Sequence, residues 1–219
     1  MSRGVLNPKY RQRVGYQAAL LGGMAMIASA ALVVGDLQTR EPIAQRHAEN
    51  LQRSLDQVVP NEHYAGERME DRVTVTDDAG ATHTIHRGHA PDGSGVSAVA
   101  FEWRGQGYAG DIILLLGVDP DGTLLGVRTL RHSETPGLGD RIEVERDDWI
   151  LAFTGRSLDD PPPDRWTVSG AGGDFDQFTG ATITARAVVH AVRDGLTFFE
   201  RHRAAILEPA RTQEDDHGR

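Results

Sequence analysis

The stretch YAGDIILLLGVDPDGTLLGVRTL, residues 108–130, decides the fold. Two apolar runs, 108–118 and 123–130, flank Asp119-Pro-Asp-Gly122, a composition typical of a tight turn between antiparallel strands. The first run is apolar on both faces, which indicates a central strand covered by helices. The turn begins like a calcium loop but lacks the later ligands and the terminal Glu. The sequence therefore predicts a β-hairpin inside a sheet.

Other strand-like runs lie before this hairpin. Alternating or β-branched residues occupy 72–76, 82–86 and 96–103, with a turn at 77–80 and a Gly/Asp/Ser-rich break at 88–95. After the hairpin, residues 147–153 are predicted to form a short helix, residues 161–163 a surface connection without regular structure, and residues 166–168 a further strand.

The last predicted element is a helix over 183–207. Gly195 is expected to weaken it slightly. The apolar stripe that faces the core is Ala187, Val188, Ala191, Val192, Leu196 and Phe199. Together these elements predict an α+β fold, a globular domain with a mostly antiparallel sheet flanked by helices.

Residues 14–35 form an uncharged segment of about twenty residues, enough for a helix to cross a hydrocarbon core of roughly 30 Å. Ala28-Ser-Ala30 resembles a signal-peptide cleavage site, so cleavage stays open as an alternative. We favour a retained anchor because the apolar run continues past that site. The basic residues before the span and Asp36 after it predict a cytoplasmic amino terminus. These basic residues are Arg3, Lys9, Arg11 and Arg13.

The chain is predicted to have five segments. They are a basic cytoplasmic segment at 1–13, a transmembrane helix at 14–35, a stalk helix at 36–60, a globular domain at 61–207 and a disordered tail at 208–219. The stalk helix is expected to be capped by Thr39, with Pro42 in its first turn. Its apolar face is predicted to consist of Ile43, Leu51, Leu55 and Val58.

Composition excludes several kinds of function. The net charge of −9 argues against nucleic-acid binding, which depends on a basic surface. The chain has no cysteine, so disulfides, thiolate metal sites and cysteine nucleophiles are excluded, and redox chemistry needs an imported cofactor. The nine histidines show no metal-ligand spacing, and we predict no metal site. No Gly-x-Ser-x-Gly sequence is present to anchor a hydrolase triad.

Two loops carry the candidate chemistry. Residues 131–139, RHSETPGLG, are polar and flexible and follow a strand, where ligand sites often lie, although a plain connecting loop is an equal alternative. Residues 176–184, DQFTGATIT, run into the last helix, so a phosphate held there would face unpaired amides and the positive end of the helix dipole. A threonine at this place also acts as a simple helix cap, a role we expect for Thr179.

The two loops together resemble the FMN-binding domain family, and most closely the G subunits of Rnf/Rsx-type ion-translocating electron transport complexes. The residues that carry the resemblance are 132–140, HSETPGLGD, and 176–184. A related C subunit of the sodium-pumping quinone reductase has both loops, and His132 favours the Rnf type. Gln177 departs from the broader family pattern, which prefers Gly after Asp176.

The resemblance implies that FMN is held covalently by a phosphoester to Thr182. It also implies that Asp176 takes part in recognition by a flavin transferase, and that residues 61–207 are an FMN-binding domain. The isoalloxazine would lie toward the first loop. The implied cofactor-binding residues are Thr179, Gly180, Ala181 and Thr182 in one loop and Glu134, Thr135, Pro136, Gly137 and Leu138 in the other.

The function implied by the resemblance is that of a membrane-anchored electron-transfer subunit of a ferredoxin/NAD oxidoreductase that moves ions, with no substrate site of its own. Its implied partners are other membrane and iron–sulfur subunits. Its implied location is the inner membrane, with the FMN domain in the periplasm. Two alternatives stay open: a stand-alone FMN-domain protein that serves another redox or regulatory route, and a scaffold module without redox chemistry.

Overall fold

The computed structural model describes residues 14–60, 69 and 71–208. The predicted basic segment at 1–13 and the predicted tail from 209 onward lie outside these residues. By its contacts the chain divides into two compact units, with the boundary between Asn50 and Leu51.

The first element is one helix, α1, which extends over Val14–Val58. Its part Gly15–Val33 is long and apolar enough to cross a membrane, and none of that part is buried within the protein. The predicted helix start at Thr39 is wrong, because α1 continues through Thr39 and Pro42. Good helix formers lie on both sides of Pro42 and outweigh its single missing amide donor. The division into a span and a stalk stays a prediction, and the predicted stalk side chains Ile43 and Leu51 lie outside the described ones.

The second unit is built on a five-stranded sheet in which neighbours in sequence are neighbours in space, all antiparallel. The strands are β1 Asp71–Thr76, β2 Thr82–His89, β3 Val96–Gln106, β4 Asp111–Val118 and β5 Leu124–Arg131. The hairpin predicted from residues 108–130 is confirmed as β4 and β5. Its turn is closed by two backbone bonds, from Asp119 to the Thr123 carbonyl (2.9 Å) and from Gly122 to the Asp119 carbonyl (3.1 Å).

Both faces of the sheet are covered, which explains the continuous apolar run of β4. On one face, Leu114 and Leu116 belong to the main core together with the helix α2, Thr182–Leu207. On the other face, Leu115 packs in a second cluster with Leu55 and Val58 from the end of α1. The last turn of α1 is therefore part of the core of the globular unit.

Glycines allow both helices to lie close to the sheet. A Cβ on Gly117 would lie 2.5 Å from the Val58 carbonyl oxygen. On the opposite face, a Cβ on Gly195 of α2 would lie 2.7 Å from Leu116 and 3.2 Å from Trp103. The predicted propensity cost of Gly195 is thus accompanied by a packing role.

The short helix predicted at 147–153 is confirmed as a 3-10 helix, Asp148–Phe153, capped by the Asp147 side chain. Two other predictions about the connections need correction. The prediction that residues 161–163 lack regular structure is wrong at Pro163, which begins a short 3-10 helix, Pro163–Arg165. Proline is tolerated there because the first helical position needs no amide donor. Residues 166–168 do not form a strand, since only one bridge joins Val168 to Phe175.

We expect Gly117→Ala to lower the free energy of unfolding by about 1–3 kcal/mol, because the new methyl group meets backbone that cannot turn aside. Urea denaturation of the full chain in detergent, followed by tryptophan fluorescence, measures this. The control Gln106→Ala, at an exposed position, is expected to change the value by less than about 0.5 kcal/mol. Equal effects of the two substitutions would contradict the packing described here.

Candidate functional site

The two loops meet at a cavity of about 530 Å³. It lies between the turn that joins β3 to β4, the loop after β5 and the first turn of α2. The lining residues are Tyr108, Glu134, Thr135, Leu138, Gly139, Gly180, Ala181, Thr182, Ile183 and Thr184. Six of the nine residues predicted to bind the cofactor are thus brought together, whereas Pro136, Gly137 and Thr179 do not line the cavity.

The loop after β5 is a closed turn. The amides of Leu138 and Gly139 both donate to the Thr135 carbonyl, at 3.1 and 2.9 Å, and Gly137 has a φ of +78°, which favours glycine. His132 fixes the start of this turn, because its Nδ1 accepts from the Glu134 amide at 3.1 Å. The Nε2 of His132 then carries the proton and donates to Glu143 at 2.8 Å.

The start of α2 has no side-chain cap. Its N-cap is Ala181, so the predicted capping role of Thr179 is wrong: Thr179 lies two residues before the cap and is exposed. Between them Gly180 has a φ of +88°, a turn that glycine makes without strain. The first helical amides, beginning with Thr182, have no acceptor within the helix and point out of its end. This end of α2 therefore favours a negatively charged group.

The Thr182 hydroxyl lies at this helix end and is half-buried at the cavity wall. It donates to the Phe178 carbonyl at 3.3 Å, a long hydrogen bond, and Thr182 lines the cavity. Leu138 from the other loop packs close by, since a Cβ on Gly180 would lie 3.3 Å from its Cδ2. The glycine therefore lets the two loops touch.

Glu134 lies beneath the cavity and is only 4% exposed. Its Oε1 accepts from the Ala109 amide at 3.0 Å, and its Oε2 accepts from the Thr184 hydroxyl. Glycines flank it closely: a Cβ would lie 2.3 Å from Oε1 at Gly107 and 2.8 Å from the Glu134 Cβ at Gly139. One carboxylate thus joins all three segments of the site, and the hydroxyl of Thr184 has a defined partner.

A second set of contacts holds the loop before α2. The Trp149 indole donates to the Asp176 carbonyl at 2.9 Å and packs edge-on against the ring of Phe178, with centroids 4.8 Å apart. The Arg141 guanidinium lies over the same ring at 4.7 Å. Gln177, the departure from the family pattern, lies against Gly170, where a Cβ would come within 2.2 Å of its Oε1.

Apolar side chains surround the cavity. Tyr108, Leu138 and Ile183 come from its three different segments and are 69%, 45% and 55% exposed. We call these three residues the apolar collar. Sequence reasoning missed Tyr108 and Ile183, and the only available signal was a large apolar residue next to a polar turn or loop. An exposed apolar group around a cavity is typical of a ligand site.

Comparisons with known proteins give a matching domain family and several relatives. Residues 107–197 match the model of the FMN-binding domain. The chain is 49% identical over 191 residues to the G subunit of the ion-translocating oxidoreductase complex of Cereibacter sphaeroides, covering 87% of this chain and 86% of that protein. It is 40% identical to the protein of the same name from Stutzerimonas stutzeri, covering 90% and 85%. The crystal structure of Shewanella oneidensis NqrC is similar with a TM-score of 0.46 and 23% identity, covering 68% of this chain and 73% of that one.

We expect Thr184→Val to destabilise the flavin-free chain by about 1–3 kcal/mol, because it leaves an oxygen of the buried Glu134 without a donor. Urea denaturation in detergent measures the loss. Thr184→Ser keeps the hydroxyl and is expected to lose only the methyl contribution, about 0.8 kcal/mol. A serine variant as unstable as the valine variant would contradict the role of the hydrogen bond.

Proposed function

Because the chain belongs to the family formed by the G subunits of ion-translocating oxidoreductase complexes, we propose that it is a membrane-anchored electron-transfer subunit carrying FMN covalently at Thr182. The observation that carries the proposal is the position of the Thr182 hydroxyl, at the uncapped start of α2 and in the wall of a cavity with an apolar collar. The match of residues 107–197 to the FMN-binding domain supports the choice of flavin.

The residues at the cavity fit the two chemical parts of FMN. A phosphate esterified to Thr182 accepts hydrogen bonds from the free amides of the first turn of α2, and the helix dipole favours its negative charge. The collar residues Tyr108, Leu138 and Ile183 offer apolar surface to a planar ring system. The volume of about 530 Å³ is in the range of small-molecule sites.

The flavin supplies the capacity to accept and release electrons, which no side chain of this cysteine-free chain provides. The chain in turn holds and orients the group. Of the predicted loop residues, Glu134, Thr135 and Leu138 line the cavity beside Thr182. Pro136 and Gly137 shape the turn that carries them, and Thr179 and Gly180 belong to the turn before α2.

Attachment requires an enzyme. The hydroxyl of Thr182 attacks the phosphorus of an activated flavin donor that holds the FMN phosphate in a phosphoanhydride. The new Oγ1–P bond replaces the anhydride P–O bond, the second phosphate part of the donor leaves, and the hydroxyl proton goes to a base of the flavin transferase. Asp176 and Gln177 are exposed beside this threonine and offer side chains for recognition by such an enzyme. A covalent bond keeps the flavin in place on a protein that lies outside the cytoplasm.

The proposed location is the inner membrane. Gly15–Val33 of α1 forms the anchor, the basic residues before it keep the amino terminus in the cytoplasm, and the FMN domain lies in the periplasm. The proposed partners are the other membrane subunits and the iron–sulfur subunits of the complex, which exchange electrons with this flavin. The chain has no substrate site of its own in this proposal, and the cavity beside Thr182 holds the cofactor.

We expect Thr182→Val to abolish covalent flavin, since valine has the same shape but no hydroxyl to esterify. The measurement is flavin fluorescence of the band in a denaturing gel, after the chain is made together with a flavin transferase. Thr74→Val, at an exposed position on β1, is the matched control and is expected to keep full fluorescence, because Thr74 lies outside both loops and does not line the cavity. Fluorescence that persists in the Thr182 variant would contradict the attachment site.

A further inference from the structure

Glu134 is a buried acidic residue without a cationic partner. It is 4% exposed, and among the described residues no Lys, Arg or His is recorded within ion-pair distance of its carboxyl group. Its hydrogen-bond partners, the Ala109 amide and the Thr184 hydroxyl, are neutral. Burying a charge in this way is costly, and a neutral amide side chain of the same shape could also link the three segments. A carboxyl group at this position can therefore act on a group in the cavity through its charge as well as link the three segments.

The position of this charge is fixed. Gly107 and Gly139 lie so close to Glu134 that even a methyl group would not fit between them and the carboxylate side chain. Glu134 also lines the same cavity as Thr182, the proposed attachment point. A group held in the cavity would thus always lie beside one negative charge.

We propose that Glu134 is a positioning residue that lowers the midpoint potential of the flavin, with Thr184 setting the strength of its effect. This inference rests on the proposed function. Near pH 8 a flavin takes up two electrons and one proton on full reduction, so the ring gains one negative charge overall. A fixed carboxylate in a partly buried cavity opposes that gain. The positive end of α2 does not cancel this effect, because it amounts to about half a charge and faces the phosphate.

The test uses the full chain with covalent FMN in detergent, titrated anaerobically with dithionite against reference dyes at pH 8. Glu134→Gln removes the charge and keeps the shape. We expect its two-electron reduction to become at least tenfold more favourable, which is a rise of about 30 mV. The control Glu102→Gln removes an exposed charge next to Phe101 and Trp103, on the sheet face away from α2, and is expected to leave the potential unchanged.

Thr184→Val provides a second measurement, in which the midpoint potential is expected to change in the direction opposite to that in Glu134→Gln. Without the hydroxyl donor the carboxylate is less compensated, so the potential is expected to fall, whereas Thr184→Ser is expected to keep the wild-type value. If Glu134 and Thr184 had only a structural role, their variants would change the midpoint potential of the flavin in the same direction or not at all. If Glu134→Gln fails to fold, a potential that does not fall in Thr184→Val overturns the proposal.

The outcomes separate this inference from the function on which it rests. A wild-type chain without flavin fluorescence in a denaturing gel contradicts the proposed covalent cofactor and this inference with it. Flavin present in all variants, with an unchanged or lower potential in Glu134→Gln, overturns only the role of the charge. A higher potential in Glu134→Gln together with a lower one in Thr184→Val supports it.

Discussion

The hydrogen bonds of the Glu134 carboxylate hold together three segments that lie far apart in the sequence. They join the amide of Ala109, the loop after β5 and the hydroxyl of Thr184 in the first turn of α2. The sheet makes this meeting possible, because the turn from β3 to β4 and the last residues of β5 lie at the same end of the strands. The helix α2 packs along β3, with Ala191 in contact with Gly105.

Local patterns predicted most of the fold. The two-faced apolar run of β4 and its Asp-Pro-Asp-Gly turn required a hairpin covered on both sides, and the structure has one. Where local signals were weak, the prediction failed. Residues 166–168 have strand-like composition, but among the described residues they make only one bridge and pair with no strand. Pro42 was interpreted as part of a first helical turn, but the residues around it favour a helix strongly enough that α1 continues through it.

The site was predicted in parts. Each loop is visible as a local pattern, and both occur at the cavity. Thr184 and Tyr108 were missed because their roles depend on which segments meet, and nothing within a few residues of either reports that contact. Thr179 was assigned as a cap from its spacing to the helix, yet the turn at Gly180 moves the helix start to Ala181 and leaves Thr179 outside. The local sequence patterns therefore predicted where the two loops lie in the chain, but not the hydrogen bonds that join them in the fold.

The central claim is that Thr182 carries the flavin, and peptide mass spectrometry tests it most directly. Trypsin cleaves after Arg165 and Arg186, so one peptide, residues 166–186, contains Thr179, Thr182 and Thr184. In chain made together with a flavin transferase, this peptide is predicted to gain the mass of FMN less one water, with fragment ions that place the gain on Thr182. An unmodified peptide, or fragments that place the flavin on Thr179 or Thr184, would contradict the account.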